Sequence, residues 1–183
     1  MIYITKGRGR RGRQGVSVFH CGRSVLLRGE DARVWLRGHS GFCRAADAGE
    51  AECVLRLAGQ DLAEYSYEDT VYGRYKILTN CVLCEGKRTG VFLSRREREM
   101  LAWIRHAGIQ IGIAELVCLA EKGISPRREL LSAKNWRALA AALYGKRLVC
   151  YTGLEKRMEH AKCCNAVVAA LMHLVATGHV RLV

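Results

Sequence analysis

The sequence predicts an α+β protein of two small lobes. The first, over residues 1–88, is small and contains β structure; the second, over residues 89–183, is mainly helical. Three observations carry this. Half of the 183 residues are hydrophobic, enough for a packed core. In the first half, β-branched and aromatic residues cluster around glycine-bearing turns, while from Ser94 onward apolar residues recur at three- and four-residue spacing. Between the halves lies Glu85-Gly-Lys-Arg-Thr-Gly90, rich in glycine and charge, the best linker of the chain.

The elements follow in order. Ile2-Tyr-Ile4 is short and apolar, and Lys6-Gly-Arg8-Gly-Arg10-Arg11-Gly-Arg13 then puts five cations into eight residues. Such a stretch buries nothing by itself, so it reads either as a mobile arm or as a solvated hairpin loop leading to Val16–Phe19. Val16–His20 and Ser24–Leu27 bracket Cys21-Gly22-Arg23, the pattern of a hairpin. Acids at Glu30 and Asp31 open a helix that Gly38 and Gly41 close, and Asp47–Leu57 reads as a second helix. Tyr65 to Cys84 is aromatic and β-branched enough for a pair of strands.

In the second lobe Ser94-Arg-Arg-Glu97 is a capping box, and Met100, Leu101 and Ile104 line the helix behind it. Ile113, Leu116, Val117 and Ala120 mark another helix, stopped by Gly123. Ser125-Pro126 starts a third, carrying Leu131, Trp136, Leu139 and Leu143 and ended by Gly145. Lys146–Tyr151 reads as a short strand, and Leu154–Thr177 as the longest helix, terminated by Gly178. A helix, then Leu-x-x-x-Gly, then a strand, as in residues 164–183, resembles the end of a winged-helix domain, and residues 93–145 resemble that superfamily more loosely. The resemblance implies a winged-helix-like second lobe that binds DNA or, as in many members, another protein.

Charge narrows the function. The net charge is +13, and it is uneven: residues 1–30 carry +6, residues 31–92 carry −1 and residues 93–183 carry +8. Clustered basic charge is the footprint of a polyanion binder, and nucleic acid, DNA ahead of RNA, is the expected partner. The expected contacts are Arg8, Arg10, Arg11 and Arg13 in the N-terminal segment, placed to follow phosphates or enter a minor groove. A second surface is expected on the helix after Pro126. There Arg127, Lys134 and Arg137 fall at offsets zero, seven and ten, with Arg128 and Lys146-Arg147 near its ends. The rival reading is a protein-interaction module or homodimer, for which the tyrosines between Tyr65 and Tyr75 are the signal.

Enzyme motifs are missing: the chain has no phosphate-binding Gly-x-x-x-x-Gly-Lys-Ser/Thr loop, no His-Glu-x-x-His and no Gly-x-Ser-x-Gly. A non-enzymatic regulator of transcription without cofactor or metal is therefore expected. Cys81-x-x-Cys84 is the only Cys-x-x-Cys, and Val-Leu between its thiols makes buried structural cysteines the better reading than zinc. His20 beside Cys21 suggests thiol activation, but neighbours on a strand point to opposite faces. The longest apolar run, Ala166–Ala176, spans 11 residues, short of the ~20 that cross a bilayer. The N-terminus places apolar residues before basic ones, the reverse of an export signal, so a cytoplasmic protein with its nine cysteines reduced is expected.

Overall fold

A computed structural model describes residues 1–86, 92–106, 111–131, 135–145 and 150–183, and shows an α+β protein. Three antiparallel sheets are present among these residues. The first has the order β5-β1-β6, with β1 (Ile2–Thr5) central between β5 (Cys43–Arg44) and β6 (Ala63–Ser66). The second is the meander β2 (Arg8–Gly12), β3 (Gly15–His20), β4 (Arg23–Leu27). The third pairs β7 (Leu83–Glu85) with β8 (Val180–Leu182). Helices α1 (Gly29–Gly38) and α2 (Ala48–Gly59) pack on each other, and Asp47 caps α2 by accepting the Glu50 N–H at 2.8 Å.

Two apolar clusters hold the molecule. Tyr3, Val16, Val18, Leu27, Trp35, Val54 and Leu57 belong to the smaller, between the meander and α1–α2. The larger is built on α5 (Ile113–Glu121) and α8 (Cys164–Ala176), and it also takes Ile2 and Ile4 from β1 and Leu83 from β7. The boundary at residues 88–89 falls between β7 and α4 (Arg95–His106), which both pack into this larger cluster. No helix among the described residues is long and apolar enough to cross a membrane.

Four local expectations are corrected. The Gly/Arg segment is neither a mobile arm nor a loop: Arg8–Gly12 is a strand paired along its length with β3. Its glycines allow this, because a Cβ on Gly9 would stand 2.5 Å from the Trp35 ring. The tyrosine-rich run forms one strand, β6, and then a helix, α3 (Val71–Thr79). The Thr70 hydroxyl caps that helix by accepting the Gly73 N–H at 3.0 Å, and Tyr75, Ile77 and Leu78 are buried in the larger cluster, so packing overrides β propensity.

Pro126 opens no helix. Residues 127–131 fold as turns in which Leu130 and Leu131 donate N–H bonds to Arg127 O at 2.9 and 3.0 Å, and α6 starts only at Trp136 (Trp136–Tyr144). The expected long C-terminal helix is two, α7 (Tyr151–Met158) and α8. Between them Cys163 donates its N–H to Glu121 Oε2 at 3.3 Å, and α7 lies against α5 while α8 packs on both α4 and α5. A tertiary partner thus takes the backbone group that a continuous helix would use. Of the expected strand over Lys146–Tyr151, residues 146–149 lie outside the described residues and Tyr151 opens α7.

The capping box is present as expected. Ser94 Oγ accepts the Glu97 N–H at 3.2 Å, and Glu97 Oε2 accepts the Ser94 N–H at 2.7 Å. Glu97 also meets His173 of α8 at 2.6 Å, so the cap ties α4 to α8. Its carboxyl lies below the usual range although burial opposes this, because the Ser94 and His173 bonds favour the anion. Ser94→Ala is expected to cost about 1 kcal/mol in denaturant unfolding, with an unchanged slope in denaturant.

Candidate nucleic-acid interface

Between Gly7 and Gly29 the chain has six arginines (Arg8, Arg10, Arg11, Arg13, Arg23 and Arg28) and no acidic residue. Arg8, Arg10 and Arg11 lie on β2, Arg13 in the turn that follows it, Arg23 on β4, and Arg28 directly after β4. Every residue of β2 is exposed, and β2 is one of the two edge strands of its sheet. The register sorts the side chains by face, since partners on paired antiparallel strands share a side. On the inner side Gly9, Val18 and Val25 align over Trp35. On the outer side Arg8 aligns with Phe19 and Ser24, and Arg10 aligns with Ser17 and Leu26.

Phe19 is 51% exposed and Leu26 44% exposed, so this outer face alternates cations with uncovered apolar groups. Over residues 30–86 the arginines are engaged: Arg33 pairs with Glu30, Arg37 reaches Glu50 at 2.7 Å, Arg56 reaches Asp31 at 2.8 Å, and Arg44 and Arg74 share Asp69 at 2.7 and 2.6 Å. Among the described residues, which include every Asp and Glu of the chain, no carboxylate pairs with the six hairpin arginines. The field over β2 is therefore uncompensated. The same charges keep the open edge from pairing with another chain.

The second expected surface is not assembled as the helical spacing implied. Arg127 and Arg128 are exposed in the turn after Pro126, and Arg137 is exposed on α6, so the three do not share a helix face. Lys134, Lys146 and Arg147 lie outside the described residues.

The cysteine pair of the sequence does not form a cluster of ligands. Cys81 is buried, donates its thiol to Ile77 O at 3.3 Å and is pushed up to about 12 by burial, while Cys84 is half-buried on β7. Cys163 is directed to Val117 O at 3.4 Å, and His160 stacks on Tyr72.

A different group comes together. His20 Nε2 lies 3.4 Å from Cys21 Sγ and 3.1 Å from Asp61 Oδ2. The strand rule fails here because Cys21 has left the strand: Cys21 (φ +47°) and Gly22 (φ +75°) form a two-residue turn with both residues left-handed, which folds the thiol back toward His20. The Cys21-Gly22 dipeptide between two strands was the available signal. Asp61, 41 residues from His20, gave none.

Lys6 fixes the carboxylate. Its side chain is 4% exposed, and its ammonium pairs with Asp61 Oδ1 and reaches Glu64 at 3.0 Å. Burial works against the lysine's charge, yet these bonds outweigh it and hold its pKa above the usual lysine value. In turn the Lys6 bond holds the Asp61 carboxyl below the usual carboxylate range. No known protein family, curated protein or solved structure matches the chain.

Proposed function

We propose that this protein is a non-enzymatic nucleic-acid-binding protein, of the kind that regulates transcription, and that it engages its target with the outer face of the β2-β3-β4 sheet. The supporting observation is that Arg8 and Arg10 share this face with exposed Phe19 and Leu26, within a stretch that holds six arginines and no acid. Arg8 and Phe19 are register partners, so a guanidinium for a phosphate stands beside a ring for a base. A ring on a sheet surface stacks on unpaired bases, and this favours single strands over a closed duplex.

The rival protein-interaction reading loses one of its tyrosines, since Tyr75 is fully buried and unavailable to a partner. Fluorescence anisotropy on one random sequence, prepared as single-stranded DNA, single-stranded RNA and duplex DNA, tests the proposal and assigns the polymer. Single strands should bind more tightly than duplex. Phe19→Ala should weaken single-strand binding by about 1–3 kcal/mol and leave duplex binding unchanged. Equal losses on single strand and duplex would show that Phe19 is not a stacking platform.

A further inference from the structure

The cluster at the end of the meander has a chemistry of its own, independent of the nucleic-acid reading. We infer that His20, Cys21 and Asp61 form a three-ligand site for a borderline divalent transition ion of the zinc type. Three donor atoms of different character, an imidazole nitrogen, a sulfur and a carboxylate oxygen, lie mutually within 4.8 Å. Metal–ligand bonds of about 2.0–2.3 Å in a tetrahedron place neighbouring donors roughly 3.3–3.6 Å apart. The nitrogen–sulfur separation, 3.4 Å, falls within that range, the nitrogen–oxygen separation, 3.1 Å, is slightly shorter, and the sulfur and oxygen lie within 4.8 Å of each other. Nitrogen, thiolate and carboxylate together select ions of intermediate softness over magnesium or calcium.

The geometry separates this reading from a nucleophilic triad. In a triad the thiol and the orienting carboxylate bind opposite nitrogens of the histidine. Here both face the same nitrogen, Nε2, and Nδ1 is buried without a partner. Nε2 cannot donate to Asp61 and accept from Cys21 at once, whereas one ion at their common centre satisfies all three donors. Coordination takes the thiol proton from Cys21 to solvent and keeps the histidine proton on Nδ1.

The backbone points to the same place. Among the described residues, Cys21 (φ +47°) and Asp61 (φ +60°) are the non-glycine positions with positive φ, and both are ligands of this site. Such conformations cost about 1 kcal/mol or more and concentrate where function holds them. Lys6, bonded to Asp61 Oδ1, is a positioning residue that leaves Oδ2 turned to His20.

Three protein ligands leave a fourth position open, the arrangement of reactive or exchanging sites and not of closed structural ones. The three residues line a cleft of about 190 Å³ together with Arg23, Val25 and Gln60. An anion bound to the ion would meet the Arg23 guanidinium there.

Titration of chelator-treated full-length protein with cobalt(II), followed by absorption, tests the site. One equivalent should produce tetrahedral visible bands and a thiolate-to-cobalt charge-transfer band, and zinc should displace it. Cys21→Ser, at an exposed turn position, should abolish the charge-transfer band, and Asp61→Asn should weaken cobalt binding by about 10- to 100-fold. Cys150→Ser, exposed elsewhere, should change neither. The site is refuted if wild type gives no thiolate band, if Cys21→Ser keeps it, or if Asp61→Asn binds cobalt with wild-type affinity. Circular dichroism of each variant confirms that the fold persists.

Discussion

Trp35→Ala is expected to lower stability by about 4 kcal/mol, the largest effect of any single substitution considered, and to lower Tm by about 8–16 °C. Trp35 is fully buried and occupies the centre of the smaller apolar cluster. Its ring supports the inner side of the meander at Gly9, stacks on His39 at 4.4 Å, and its Nε1 donates to Lys6 O at 3.0 Å. Its carbonyl accepts the Thr5 hydroxyl at 2.8 Å, which ties α1 to β1. Alanine leaves a large cavity under the sheet that carries the arginines. Trp35→Phe keeps most of the ring but orphans Lys6 O, and should cost about 1–3 kcal/mol. Thermal unfolding followed by circular dichroism measures both, and amide exchange should show β2 losing protection first in Trp35→Ala.

Glu50→Ala is expected to cost about 3 kcal/mol. Glu50 is 1% exposed, in the first turn of α2, where the helix N-terminus favours an anion. It accepts from Tyr3 Oη at 3.2 Å, from the Ala46 N–H at 2.6 Å and from Arg37 at 2.7 Å, joining β1, α1 and the loop before α2. Burial first, and then the nearby Glu50 charge, hold the Tyr3 phenol above its usual pKa, so this tyrosine stays a donor. Removing the carboxylate takes this acceptor from the buried Tyr3 hydroxyl and from the Ala46 N–H. Arg37, a third exposed, is rehydrated, which keeps the cost near the lower end for a broken buried pair. Glu52, exposed on the same helix, is the control: Glu52→Ala should change denaturant stability by less than about 0.5 kcal/mol.

The elements legible in the sequence are those set by local chemistry. The β3–β4 hairpin, the start of α2 at Asp47, the Ser94–Glu97 box and the Gly123 stop all act within a few residues. The misread elements are set from a distance. The helix α3 forms because Tyr75, Ile77 and Leu78 have a core to enter, and α7 and α8 are separate because Glu121 takes the Cys163 N–H. The Gly/Arg stretch reads as disordered because its own residues bury nothing. It becomes a strand because Trp35, 26 residues after Gly9, needs a glycine above it.

The candidate surfaces divide the same way. The basic run Arg8, Arg10, Arg11 and Arg13 is legible from charge alone, but the shared strand of Arg8, Arg10 and Arg11 and the partnership of Arg8 with Phe19 needed the register. The His20–Cys21–Asp61 cluster was hidden by applying strand alternation to a residue that lies in a turn.

The central claim, that the acid-free meander is a phosphate-binding surface, is tested most directly by the salt dependence of single-strand binding. Six arginines that each neutralise one phosphate give a slope of log K against log salt near ~−4. Replacing Arg8, Arg10, Arg11 and Arg13 by glutamine should flatten that slope by about 3 and leave the Tm of the protein nearly unchanged. A variant that binds with the wild-type slope would place the contacts elsewhere and contradict the account.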